Sequence, residues 1–200
     1  MWHFSEEEKH HLFLATAAFT LALGLLRVGG FFGLQLQGGF NSWVAMLLLS
    51  MPVMCIAVGP AFLLHEIGHK LVAKKYGCWA EFRVDPGGLK LGIAIVALTG
   101  FLFMAPGAVM VAGLVTRRQN GHIAIAGPAV NFGLFLVGIP LGGILLGIFG
   151  AEGSGGLAYL SESGINLKAM IYDIVKWWIA ANLGLGFFNL IPFGPLDGAK

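Results

Sequence analysis

The chain has 200 residues, enough for one ordinary domain, yet 57% are hydrophobic and 11% charged, with a mean hydropathy of +0.82. Those values exclude an ordinary soluble protein and indicate a membrane protein. A formal charge of +2 gives no electrostatic case for nucleic acid, and none is expected as a partner.

Taken in chain order, the N-terminal MWHFSEEEKHH carries three consecutive glutamates where a secretory signal would carry positive charge, so the apolar run after it reads as a retained span near residues 11–33. Val28–Leu64 contains no Asp, Glu, Lys or Arg and leads into a second helix near 43–75. Residues 81–115 differ. A turn signal at Asp85-Pro86-Gly87-Gly88 precedes LKLGIAIVALTGFLF, and a second break follows at Pro106-Gly107, which suits extended strands or a re-entrant segment, with a helical hairpin as the alternative. Strand edges at membrane depth must be covered by protein or water, so this segment is expected to pack on the helices or line a cavity. Third and fourth helices follow near 121–149 and 168–191, separated by a loop at 150–164. The fold class expected is therefore a mainly α-helical, polytopic transmembrane bundle with a short membrane-associated β segment, in one domain.

Lys70, Lys74 and Lys75 follow the second helix, Arg117 and Arg118 precede the third, and the 150–164 loop has neither Lys nor Arg. Positive charge collects on the cytoplasmic side, which places the end of the second helix there; Arg27 and Lys168 fit this orientation less well. Cys55 and Cys78 have no CxxC spacing and read as incidental thiols.

The second helix ends in LLHEIGHKLVAKK. Residues four apart share a helical face, so His65 and His69 can reach one metal ion, with Glu66 beside them. At about 1.5 Å per residue these histidines lie roughly 8 and 14 Å deeper than Lys74, inside the membrane. H-E-x-x-H is the zinc metallopeptidase pattern, in which the glutamate is a general base and not a ligand. A bland reading, interfacial histidines at a helix end, conflicts with the cost of ionisable groups at that depth. A catalytic zinc takes a third protein ligand. Asp85 is explained by its turn and Asp173 is expected toward the outer face, whereas Asp197 lies past the inward end of the fourth helix, on the side of His65 and His69. Glu81, Glu152 and Glu162 are weaker candidates. Asn131 and Asn189 suit either helix–helix bonding or contact with an unwound substrate backbone. His122 reads as interfacial.

HEIGH at 65–69 together with NLIPFGPLDG at 189–198 resembles the site-2 protease family of intramembrane zinc metalloproteases, and AGPAVNF at 126–132 resembles that family's intervening segment. The resemblance covers roughly residues 43–200. It implies one zinc per chain held by His65, His69 and Asp197, Glu66 as catalytic base, and Asn189, Pro192 and Gly198 as parts of the motif supporting the third ligand. It also implies a β-rich segment after the HExxH helix and a membrane-anchored protein substrate cut within or near its transmembrane segment; the lysines and arginines above place the site in the cytoplasmic half of the bilayer. Family members continue through further helices, so a core truncated at its C-terminus is expected. A polar path to the metal is expected around Gly194 and Pro195, and a strand edge within 81–115 is expected to hold the substrate extended. A metal transporter and a catalytically silent binding module are the rival readings; the first needs more ligands along a path, and the second would lack Glu66. Accessory partners are not indicated.

Overall fold

A computed structural model describes residues 3–104, 106–150, 159–161, 164–194 and 196–200. Glu152, Glu162 and Pro195 lie outside them. The first helix, α1 (Glu6–Arg27), starts where the Ser5 hydroxyl accepts from the Glu8 amide at 3.2 Å, and three acids occupy its positive end. After a 3-10 turn and the short α2 (Gly33–Leu36), α3 (Phe40–Lys75) runs 36 residues with Pro52 and Pro60 inside it. Among its buried positions Ser50, Met54, Ala57, Ala61, His65, His69 and Ala73 recur every three or four residues. The two histidines therefore continue the stripe that packs α3 into the bundle.

Strand β1 (Trp79–Val84) pairs antiparallel with β2 (Gly107–Ala112), from Trp79 opposite Ala112 to Val84 opposite Gly107. Between them lies not an extended run but a helix, α4 (Pro86–Thr99), and this corrects the strand reading of LKLGIAIVALTGFLF. The caps decide it. Asp85 accepts from the Gly87 amide at 3.0 Å, Pro86 stands at the first turn, and Gly100 ends the helix at φ 66°. An apolar run of this length suits either period, so local capping settles what hydrophobicity leaves open. Helix α4 packs along α1, so residues 79–112 form a strand–helix–strand unit beside the bundle.

Helix α5 (Arg117–Phe149) opens on a capping box between Thr116 and Gln119. The two-residue strands β3 (Leu160–Ser161) and β4 (Gly164–Ile165) precede α6 (Leu167–Asn189), which Asn166 caps. Helices α3, α5 and α6 pack mutually, and α1 closes the fourth side against α3. The core between α1 and α3 is built from Ala15, Phe19, Ala22, Val53, Met54, Ala57 and Val58; Phe62 packs between Phe19, tilted at a ring separation of 5.6 Å, and Phe82, edge-to-face at 5.8 Å. Leu48, Ile56, Leu136, Leu141, Ile144 and Ile148 point outward, as lipid-facing residues do.

Among the described residues three helices, α1, α3 and α5, are long and apolar enough to cross a membrane. The expected fourth span, α6, is not among them, because Lys168, Asp173 and Lys176 charge its first half. Two of the charges used to orient the chain are internal. Lys70 is buried and paired with Glu8, with its ammonium 3.9 Å from the Phe4 ring centre. Arg27 donates to Asp173 at 2.8 and 3.0 Å, which accounts for its poor fit to the positive-inside pattern and removes Asp173 as a metal ligand.

Candidate metal centre

The turn of α3 carrying His65, Glu66 and His69 meets α5 and the segment after α6. His65 Nε2 and His69 Nε2 lie 3.1 Å apart, and Asp197 Oδ2 stands 3.2 and 3.0 Å from them. All three residues are buried. The outer ring nitrogens fix what the inner ones present. His69 Nδ1 donates to the Ile123 carbonyl at 2.7 Å and His65 Nδ1 to the Asn131 side-chain oxygen at 2.6 Å. A neutral imidazole protonated at Nδ1 has a lone pair at Nε2, so three acceptor atoms converge.

Asp197 Oδ2 has no hydrogen-bond donor, while Asp197 Oδ1 accepts from Lys200 Nζ at 3.0 Å. A buried acceptor without a donor, facing two more acceptors, is stable only around a cation. Four-coordinate zinc with ligand distances of about 2.0–2.1 Å sets its ligand atoms about 3.3 Å apart, close to the separations here. Among the described residues, these three form the one cluster of His, Cys, Asp or Glu that could hold a metal ion.

The chain leaves room for that ion. A Cβ on Gly127 would stand 2.6 Å from His65 Nε2 and closer still to His69 Nε2. Gly127 is therefore the wall of the centre opposite α3, in the AGPAVNF segment. Asp197 is presented by a one-turn 3-10 helix, Asp197–Ala199, folded back on the end of α6. A side chain at Gly198 would collide with the Leu190 carbonyl, so glycine permits this close return.

Glu66 is 8% exposed and lines the cavity beside the centre, with no hydrogen-bond partner among the described residues. The cavity has a volume of about 210 Å³. Its far wall is β2, whose second edge pairs with no described strand and which contributes Gly107, Ala108, Val109 and Val111. A second cavity of about 130 Å³ shares His65, Glu66 and Asn189 with the first. It shares Phe19, Met104, Leu185 and Phe188 with an apolar groove of about 370 Å³ between α1 and α6.

The other expected residues separate. Asn189 lines the cavity and donates to its own helix at Leu185. Asn131 lies behind His65 with both its oxygen and its nitrogen engaged by protein, so it supports the site and is not free for substrate. Pro192 is exposed in the loop after α6. Glu81 is bound by Arg83 and Ser5, away from the metal ligands. His122 faces Tyr76 at 2.5 Å on the surface. The sequence reading missed Asn182, Lys200 and the Ile123 carbonyl, and marked Gly127 only as part of AGPAVNF. Of the three missed, Asn182 had a visible signal, an amide within the uncharged half of α6.

A membrane-protein fold around a buried two-histidine, one-aspartate centre with an adjacent carboxylate defines a metallopeptidase type of site. Comparison then gives the family: residues 53–200, about three quarters of the chain, match Peptidase family M50, and the chain belongs to it. The protein MJ0611 of Methanocaldococcus jannaschii is 39% identical over 146 residues, 72% of this chain and 66% of that protein. YwhC of Bacillus subtilis is 31% identical over 158 residues, 75% of this chain and 67% of YwhC. Both are provisionally named zinc metalloproteases. Zinc metalloprotease MJ0392 of M. jannaschii is 29% identical over 148 residues, 74% of this chain and 32% of that protein. The chain thus spans between about a third and two thirds of the length of these relatives. No solved structure matches it.

Proposed function

We propose that this chain is the core of an intramembrane zinc metalloendopeptidase that hydrolyses peptide bonds within or near the transmembrane segments of membrane-anchored proteins. The observation that carries the reading is the convergence of His65 Nε2, His69 Nε2 and Asp197 Oδ2 on a helix long and apolar enough to cross a membrane, with the Glu66 carboxylate in the same cavity. His65, His69 and Asp197 hold one zinc. When bound, the ion supplies Lewis acidity, lowering the pKa of water and polarising a carbonyl. Glu66 takes the proton of the attacking water and passes it to the leaving amine nitrogen. Freedom from other hydrogen bonds suits it to that transfer.

A transmembrane helix hides its peptide bonds in its own hydrogen bonds, so the substrate must unwind locally. The open edge of β2, Gly107–Ala112, lies within the 81–115 segment and supports strand addition there. The apolar groove between α1 and α6 supports entry from the lipid side, and Asn189 lines both cavities beside the centre. Lys74, Lys75, Arg117 and Arg118 support a multi-pass topology with the metal in the cytoplasmic half of the bilayer.

The test is zinc content and cleavage of a single-span substrate in detergent, for the parent, Glu66→Gln and Asp197→Ala. The parent is expected to hold one zinc and cut. Glu66→Gln is expected to keep zinc and lose about 10²–10⁴-fold in rate, as the removal of a general base does. Asp197→Ala is expected to lose the metal. Cleavage that persists in Glu66→Gln would sink the role given to that residue, and equal zinc binding by all three would sink the ligand set. Substrate cross-linking to the helices but never to residues 107–112 would remove the strand-addition step.

A further inference from the structure

We infer that Asn182, a residue of α6 that touches neither the metal position nor the substrate cavity, is a positioning residue that fixes which nitrogen of His65 faces the metal centre. The inference rests on the zinc reading above. Asn131 and Asn182 are both fully buried, at 0% exposure. Their amides form a chain: His65 Nδ1 donates to Asn131 Oδ1 at 2.6 Å, Asn131 Nδ2 to Asn182 Oδ1 at 3.0 Å, and Asn182 Nδ2 to the Trp178 carbonyl at 2.9 Å. Asn131 Nδ2 also donates to the Ala61 carbonyl at 2.9 Å.

The direction of this chain is not free. An amide can be turned end for end, but a backbone carbonyl only accepts. Trp178 demands a donor from Asn182, so the Asn182 oxygen faces Asn131. That oxygen and the Ala61 carbonyl demand the Asn131 nitrogen, which leaves the Asn131 oxygen facing His65. The imidazole must then carry its proton at Nδ1 and present a bare Nε2 to the centre. With Asn131 reversed, its NH2 group would meet His65 Nδ1, and the ring proton would move to Nε2 and point among the three ligand atoms. The Ala61 carbonyl and Asn182 Oδ1 would at the same time face the Asn131 oxygen, acceptor against acceptor; the Ala61 carbonyl would keep its helical donor, but Asn182 Oδ1 would be left without one, which costs about 1–3 kcal/mol.

His69 shows why the second amide is needed for one histidine and not the other. Its Nδ1 partner is the Ile123 carbonyl, which cannot turn. His65 alone is oriented by a side chain that can. One acceptor, the Ala61 carbonyl, would hold Asn131 against reversal without Asn182; the second doubles that hold and ties the ligand on α3 to α6 through α5.

The experiment uses the parent, Asn182→Leu and Asn182→Asp, purified in detergent and stripped of metal. Zinc affinity is measured by competition with a chromophoric chelator, and the His65 tautomer by ¹⁵N NMR of histidine-labelled, zinc-free protein, assigned with His65→Gln. Asn182→Asp is the rescuing variant, because a buried carboxyl group offers Asn131 the same acceptor and, when protonated, Trp178 the same donor. Asn182→Leu is expected to weaken zinc by about 10–100-fold and to populate the Nε2–H tautomer, while Asn182→Asp stays within about threefold of the parent. Should Asn182→Leu fail to fold, Asn182→Ala carries the same comparison. Unchanged zinc affinity in the apolar variant, or equal losses in the apolar and Asp variants with an unchanged His65 tautomer, would overturn the inference. A parent that binds no zinc would overturn the metal reading itself.

Discussion

Among the described residues of this membrane protein four acids are buried, and they fall into two kinds. Glu8 and Asp173 are 0% and 1% exposed, and each meets a full cation and a further donor. Glu8 faces Lys70 and accepts from the Phe82 amide at 3.1 Å; Asp173 faces Arg27 and accepts from the Tyr159 hydroxyl at 2.6 Å. Asp197 and Glu66 are 7% and 8% exposed, yet one oxygen of Asp197 has no donor and Glu66 has no described partner. Burial is the same, and partnership is what differs. Asp197 meets Lys200 through Oδ1 alone, and a carboxylate oxygen at membrane depth that the protein leaves without a donor, as it leaves Asp197 Oδ2, calls for a balancing cation from outside the chain. Carboxylates that the protein pairs internally hold the fold: Glu8 joins α1 to α3 and to β1, and Asp173 joins the two ends of α1 and α6 to Tyr159.

The comparison breaks most easily at Lys70. Removing one partner of a buried ion pair leaves the other charge uncompensated, so Lys70→Met is expected to cost about 3–5 kcal/mol of unfolding free energy, read by SDS titration in mixed micelles. A change below about 1 kcal/mol would mean that water reaches Glu8, and that the distinction between the two kinds of acid does not hold. At the metal centre the dependence runs the other way, since the stabilising partner is added from solution. Zinc at 100 times its dissociation constant is expected to stabilise the parent by about 2.7 kcal/mol and to leave Asp197→Asn unmoved, by the same titration with and without metal. Equal responses would place the binding site elsewhere.

How much of this was legible in the sequence depends on the range over which each feature is fixed. HEIGH is set by helical spacing alone, and the LDG turn lies at one end of a charge-free run, so His65, Glu66, His69 and Asp197 stand out before any fold is known. The pairing of acids is different. Glu8 and Lys70 are 62 positions apart and Arg27 and Asp173 146, and nothing local marks Lys70, one residue past His69, as internal when Lys74 lies so near. Charge counting treated all three lysines after the HExxH turn alike, although only packing of α1 on α3 distinguishes them. Helix α4 is hidden for the opposite reason: its caps are local, but Asp85 and Pro86 suit a turn as well as a helix start, and Gly100 lies inside an apolar run that suits a strand equally well. Asn182 was overlooked since an amide in an apolar helix carries no sign of what lies across the helix interface.

Tyr159 sharpens the paired class at its outer end. Burial and the neighbouring Asp173 carboxylate push its phenol above the ordinary value, which keeps it a hydrogen donor. Tyr159→Phe is expected to cost about 1.5–3 kcal/mol, as loss of a hydrogen bond to a charged group does. The sign with pH follows. A phenol whose pKa is raised on folding contributes fully below about pH 10, the unfolded value, and its contribution is lost as pH rises beyond that toward the folded one. Parent and variant are therefore expected to converge in stability at strongly alkaline pH and to stay separated near neutrality.

The smallest expected effect tests the comparison most closely. If the Glu8–Lys70 pair serves packing alone, the charges themselves are dispensable provided every remaining polar group keeps a partner. Glu8→Gln with Lys70→Met is chosen to meet that condition: the glutamine oxygen can still accept from the Phe82 amide, its NH2 group can donate to the His3 carbonyl that Lys70 served, and the methionine fills the volume of the lysine stem beside Phe4. The double variant is expected to lie within about 1 kcal/mol of the parent despite the large cost of Lys70→Met alone, giving a coupling of about 2–4 kcal/mol in the double-mutant cycle. A matched removal at the metal centre has no such remedy. His65, His69 and Asp197 converge on a ligand the chain does not contain, so no second substitution within the chain can replace it. Recovery in the first case and none in the second would establish that the pairing of a buried acid, and not its depth, separates the scaffold of this protein from its chemistry.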